Sequence, residues 1–358
     1  MFPATEEIVT QALPAPPTEA PRGVTASHAD RRMLGVLVLT GLLVASVVLS
    51  IVFGTKALSL QQVWHGLWSA TGTESDVIIR SLRLPRTALA VVAGCALGVA
   101  GALMQGHTRN PIADPVLLGV SAGAGMFVAG AIFFLGVTTL YGYVWFGFAG
   151  ALLSSTAVYL VGTYARGGAT PVTLALGGAA IHALFTALTA GMLILDEQAL
   201  DTYRFWTVGS VAGRPADITL QMLPFVAAGL LLAAANARGL NALSLGEDIA
   251  RALGVRIALT RLTGMAAITL LTGVAVAACG PIGFVGLMAT HIGRAYTGPD
   301  YRWVLVYAGI LGAVLMVGAD ILGRVVARPG ELPVGIMLAF IGAPVFIHLV
   351  RRRKPVRL

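Results

Sequence analysis

The carboxylates are the first side chains to weigh, because an ion-coupled carrier usually needs an ionisable group inside the bilayer. Asp196, Glu197, Asp201 and Asp217 fall in one polar stretch, and Glu247, Asp248 and Asp300 in two others. Asp114, Asp320 and Glu331 stand at the ends of apolar runs, so no carboxylate is expected in the middle of one. A phosphate-binding loop is missing as well. The lysines, Lys56 and Lys354, are not preceded by glycine, so no G-x-x-x-x-G-K-[ST] can be written. Cys95 and Cys279 lie alone in apolar stretches and read as small packing residues. His291 has no second ligand at helical spacing, which argues against a metal. The chain is therefore not read as an enzyme, and no cofactor is expected in it. A channel remains, or a permease powered by a separate ATPase subunit.

Residues 240–255, LNALSLGEDIARALGV, favour the second option. Ser244 and Glu247 have the spacing of a capping box, in which the hydroxyl accepts from the third helical N–H and the carboxylate reaches back. Leu245, Ile249 and Leu253 then line one face, and Gly254 stops the helix. A short amphipathic helix of this kind docks into another protein's groove or lies on the bilayer surface, and the segment alone leaves both readings open.

The elements that must position these residues are membrane spans. The 358 residues are 57% hydrophobic and 11% charged, too apolar for a water-soluble domain. A span takes about 20 apolar residues. The pattern predicts spans at about 33–53, 86–106, 116–136, 141–163, 172–195, 218–236, 257–278, 283–293, 303–322 and 333–350. The run at 283–293 is too short to cross alone and follows Gly280-Pro281-Ile282-Gly283, while the run at 116–136 follows Pro115. Two interrupted segments of this sort suggest an internal repeat around a pathway. Gly94/Gly98 and Gly119/Gly123 have the GxxxG spacing of close helix packing.

Residues 1–30, with Pro3, Pro14, Pro16, Pro17 and Pro21, read as a flexible cytoplasmic tail that is not cleaved, and 31–358 as one transmembrane domain. The net charge of +8 comes from arginines at span ends, which argues against nucleic acid. With the N-terminus inside, the inner segments carry the larger share of Arg and Lys, so both termini are expected in the cytoplasm. Arg83, Arg86, Arg204 and Arg324 then fall outside, against that trend.

Six ordered blocks resemble the FecCD family, the vitamin B12, haem and ferric-siderophore permeases of type II ABC importers. They are RLPRTALA at 83–90, GALMQGHTRNPIADPVLLGVSAGAG at 101–125, RFWTVGS at 204–210, LSLGEDIARALGV at 243–255, GPIGFVGLMATHIGR at 280–294 and GADILGRVVARPGELPVGIMLAFIGAPVFIHL at 318–349. RFW followed by GS, NALSLGEDIARALG and DYRW at 300–303 are most similar to the ferric-enterobactin branch. Thr290 stands where the family usually has proline, which removes the expectation of a kink before His291.

The resemblance implies an all-α polytopic fold of about ten transmembrane helices, of the vitamin B12 permease type, with a short cytoplasmic coupling helix. It implies two ATPase subunits that bind ATP and Mg, a second permease subunit that is a paralogue rather than a copy, and a periplasmic or lipid-anchored substrate-binding protein. The expected location is the bacterial inner membrane, and the expected function is import of a ferric siderophore. Haem or cobalamin is the alternative cargo, and an ion-coupled secondary carrier is the alternative of another class. By resemblance, Arg83, Arg86 and Arg324 form pockets for glutamates of the binding protein, and charge reversal at Arg83 or Arg324 is expected to weaken docking without unfolding the chain. Ser244, Gly246, Glu247, Ala250, Leu253 and Gly254 belong to the coupling segment seated on the ATPase. Gly168, Ala169, Thr170 and Pro171 belong to a cytoplasmic gate. His182 reads as a packed helix residue or a pathway group, and Arg204 as an attractor for an anionic substrate or an interfacial anchor.

Overall fold

Lipid offers the backbone no hydrogen-bond partner, so long apolar runs must satisfy themselves as helices. In the computed structural model, which describes residues 24–56, 58–69, 72–164 and 171–352, they do so. The helices are α1 (Val24–Val52), α2 (Leu60–Trp68), α3 (Glu74–Val77), α4 (Leu84–Thr108), α5 (Ser121–Leu135), α6 (Leu140–Tyr164) and α7 (Pro171–Leu195). They continue as α8 (Glu197–Thr207), α9 (Ala216–Ser244), α10 (Glu247–Ala252), α11 (Ile257–Cys279), α12 (Val285–Thr297), α13 (Tyr301–Val326) and α14 (Val334–Arg352). A π-turn at Ile78–Arg83 joins α3 to α4, and another at Val116–Val120 leads into α5.

Among the described residues seven helices are long and apolar enough to cross a membrane, with α3 and α4 counted as one, Glu74–Thr108. α5, α12 and α14 are shorter and complete the set of expected spans. The expected tail needs correcting at one end. Residues 1–23 lie outside the described residues, but Val24 to Asp30 are already the first turns of α1, there being no proline after Pro21 to stop them.

Three helices lie outside the predicted spans and the predicted coupling segment. α3 has only four residues, and α2 and α8 are short and amphipathic, so hydropathy averaged over a span length passes over them. Each nevertheless carries a cap. The Ser59 hydroxyl accepts from Gln62 N while the Gln62 side chain accepts from Ser59 N, and the Asp196 carboxylate accepts from Gln198 N and Ala199 N.

α4 is the hub. Its most apolar stretch is 78% buried, against 17% for α1 and 11% for α7, which lie at the periphery. It packs on α13, α12, α11 and α9. The Gly94/Gly98 pair makes the closest of these approaches possible, since a Cβ at Gly98 would run into the Ala308 carbonyl of α13 and one at Gly94 into that of Gly312. Gly123 approaches Gly150 and Ser154 of α6 in the same way. Both GxxxG spacings therefore serve packing within the chain. The 25 residues of α4 span about 37 Å. Its first turn carries Arg86, and just past its last turn Arg109 donates to the Leu243 carbonyl beside α10.

Candidate functional sites at the two ends of the bundle

At the Arg86 end, the π-turn before α4 turns Arg83 onto the C-terminus of α1. The Arg83 guanidinium donates to the carbonyls of Ile51, Val52 and Lys56, and the residue is 5% exposed. From α13, Arg324 donates to the carbonyls of Ser50 and Phe53, each at 2.9 Å, and to the Ser50 hydroxyl at 2.7 Å. The last carbonyls of a helix lack intrahelical partners and carry partial negative charge, so two cations here are favourable.

Arg86 has different partners. Its Nε and one terminal nitrogen hold the Asp320 carboxylate at 2.7 to 3.0 Å, and its other terminal nitrogen holds Glu331 at 2.7 Å. Asp320 also pairs with Arg324 at 3.0 Å, so the one-turn spacing of those two residues does produce an ion pair. All three expected docking arginines thus border one cavity of about 660 Å³, shared with Lys56, Arg214 and Glu331. Each of the three is already engaged within the chain.

The opposite end holds α10. The expected capping box does not form. α9 runs on through Ser244, whose hydroxyl reaches back to the Asn241 carbonyl at 2.6 Å. Glu247 instead pairs with Arg261 and Arg251. The N-cap is Gly246, at φ +117° and ψ 153°, a backbone region open essentially to glycine alone. Gly254 terminates the segment at φ +77° as expected. Ala250 is buried against Ala242 and Leu243, while Ile249 on α10 and the cap residues beside it, Leu245 of α9 and Leu253 of α10, are exposed.

Behind α10 a polar cluster ties three helices together. The Asn236 amide of α9 donates to the Thr260 carbonyl at 2.7 Å and to the Thr263 hydroxyl at 2.8 Å on α11, and its oxygen lies 3.1 Å from His107 Nε2 on α4.

Between the two ends, the interrupted segments meet at one carboxylate. Buried Asp114 accepts from Val116 N at 2.9 Å, where the π-turn into α5 begins, and from Phe284 N at 3.2 Å, at the start of α12. Two helix N-termini, each with unpaired N–H groups, suit an anion. With 13 residues, α12 covers about 20 Å, less than a bilayer core of about 30 Å.

A profile of the FecCD transport family matches residues 42–352. This chain belongs to the FecCD transport family. It is 41% identical over 324 residues to the probable siderophore transport system permease protein YfiZ of Bacillus subtilis (strain 168), covering 90% of this chain and 97% of that protein. It is 43% identical over 335 residues to the ferric enterobactin transport system permease protein FepD of Escherichia coli (strain K12), covering 92% and 98%. A solved structure of an inward-facing ABC transporter, assigned to the metal-chelate type, superposes with a TM-score of 0.77 at 31% identity, covering 89% of this chain and 98% of that one. Other similar permeases are named for hemin and for cobalamin.

As a FecCD permease, the chain is a multi-pass membrane subunit of an ABC importer, a class that works with ATPase and binding-protein partners. Gly168, Ala169 and Thr170 lie outside the described residues, and Pro171 opens α7. His182 is partly buried on α7. Arg204 is exposed on α8, paired with Asp201 at 3.1 Å and stacked on Phe205, while Trp206 turns inward to the Ala277 carbonyl. Sequence reasoning gave no role to Asp114, Glu331 or the His107–Asn236 cluster. For Asp114 a signal existed, since an Asp two residues before the start of a helix is a common N-terminal acceptor.

Proposed function

We propose that this permease imports a ferric siderophore across the bacterial inner membrane, with both termini in the cytoplasm. The observation that carries the cargo is the high identity, over nearly the whole chain, to permeases named for siderophore and ferric enterobactin transport. The exposed Leu245, Ile249 and Leu253, on and beside α10, support a cytoplasmic seat for an ATPase subunit, because apolar side chains left open around so short a helix call for a partner's groove. In this reading Ser244, Gly246, Glu247, Ala250, Leu253 and Gly254 form the coupling segment, and ATP and Mg are bound by two partner subunits. A second, paralogous permease completes the pathway. The arginine-lined cavity at the other end receives carboxylates of the substrate-binding protein. His182 and Arg204 face the route of the chelate, and the segment 168–171 closes it on the inner side.

Transport then proceeds by alternating access. The loaded binding protein docks on the arginine end, and motion of α10 switches which end of the route is open. The test is uptake into vesicles containing the permease pair with and without the ATPase, using ferric siderophores, haem and cobalamin as cargo. Accumulation of a ferric siderophore only with the ATPase and ATP is expected. Accumulation driven by a proton or sodium gradient alone would overturn the reading, and uptake confined to haem or cobalamin would replace the cargo.

A further inference from the structure

Arg86 holds two carboxylates of unlike character. Asp320 is 1% exposed on its side chain, shares its charge with Arg324, and receives three hydrogen bonds from Arg86. Glu331 is 39% exposed, receives a single bond from Arg86, and stands in the short segment between α13 and α14. The first pair is expensive to break, because separation would leave charge uncompensated in a dry site. The second is a half-solvated ion pair of the sort that contributes little and exchanges readily.

The cavity beside them makes that contrast informative. Its lining includes Lys56, Arg83, Arg86, Arg214 and Arg324, and among the described residues there Glu331 is the one carboxylate. Arg83 and Arg324 are committed to the C-terminus of α1, and Arg324 also to Asp320. Of the three expected docking arginines, Arg86 is therefore the one whose outward terminal nitrogen an incoming carboxylate can take at least cost, and Glu331 is what stands on it.

We propose that Glu331 is an internal stand-in for a carboxylate of the substrate-binding protein, holding Arg86 in the undocked permease and yielding it when that protein docks. The inference rests on the docking reading of the arginine cavity and goes beyond it, because it names the group that must leave. The stand-in keeps Arg86 aligned and screened while the site is empty. It also lowers the affinity of docking by the strength of one exposed ion pair, so that the binding protein can leave after delivery. Asp320 stays in place throughout and fixes the plane of the Arg86 guanidinium.

The test uses the full permease, assembled with its partner subunits in nanodiscs, and the soluble domain of its substrate-binding protein. Glu331→Gln is expected to tighten docking by about fivefold at low salt. In the permease without binding protein, Glu331→Gln is also expected to raise the rate at which phenylglyoxal labels Arg86, followed by mass spectrometry, with an unchanged melting temperature. Docking that is equal or weaker in Glu331→Gln overturns the stand-in, as does unchanged labelling of Arg86. Arg86→Lys separates this from the underlying reading. If Arg86→Lys weakens docking while Glu331→Gln fails to strengthen it, the cavity is the docking site and Glu331 is a fixed structural partner. If neither substitution alters docking, the cavity is not where the binding protein sits.

Discussion

Arg83 and Arg324 direct their guanidinium groups at the last carbonyls of α1, and both are nearly inaccessible. This changes what substitution there should do. A glutamate in place of Arg83 would set a carboxylate against the negative end of a helix and leave three carbonyls without a donor. Charge reversal at Arg83 or Arg324, expected from sequence to spare the fold, should instead unfold the arginine end. Arg324→Ala breaks a buried pair and is predicted to cost about 3–5 kcal/mol, measurable as a fall in thermal unfolding temperature in detergent. A melting temperature equal to that of the parent chain would contradict the capping role. The Asp320–Arg324 pairing could be read from a four-residue spacing. The α1 carbonyls could not, because they lie far away in sequence from both arginines and no side-chain pattern marks a backbone acceptor.

At the scale of the element, a short helix does form inside 240–255, but it starts at Gly246 and not at Ser244. The S-x-x-E spacing that marks a helix start also occurs inside a continuing helix, and α9 claims Ser244 for its own last turn. What begins α10 is Gly246 in a conformation that side chains resist. Gly246→Ala, although open space surrounds the position, is therefore predicted to strain the turn by about 1–3 kcal/mol and to misdirect Leu245, Ile249 and Leu253. With the ATPase bound, ATP hydrolysis should continue while transported substrate per ATP falls, and the effect of Gly246→Trp should be larger still. A transport-to-hydrolysis ratio unchanged by Gly246→Ala would remove the argument from backbone. α2 and α8 teach the complementary lesson. Each carries a legible cap, but nine and eleven residues are too few to raise hydropathy averaged over the length of a span.

For the whole molecule, the number and positions of the spans followed from apolar length, since nothing but a helix meets the backbone's needs in lipid. Which helix is central did not follow. Lipid tails are as apolar as leucine, so a helix facing lipid and one facing protein can look alike in sequence. α1 and α4 are both strongly apolar, yet one is peripheral and the other the hub. The better indicator was small residues, and the Gly94/Gly98 spacing does mark the α4–α13 seam. Gly98→Leu is predicted to push that seam apart and cost about 3 kcal/mol or more, with loss of a monodisperse peak in size-exclusion chromatography. A monodisperse variant with parental melting would show that the seam tolerates bulk.

The shared carboxylate of Asp114 has a further consequence for how such a molecule can change shape. α5 and α12 lie far apart in the chain but begin at a common knot, so neither can slide along its axis unless the other follows or the knot is undone. Untying it would leave a buried carboxyl group without its two backbone donors. A rearrangement that keeps this knot carries the starts of the two shortened rods together.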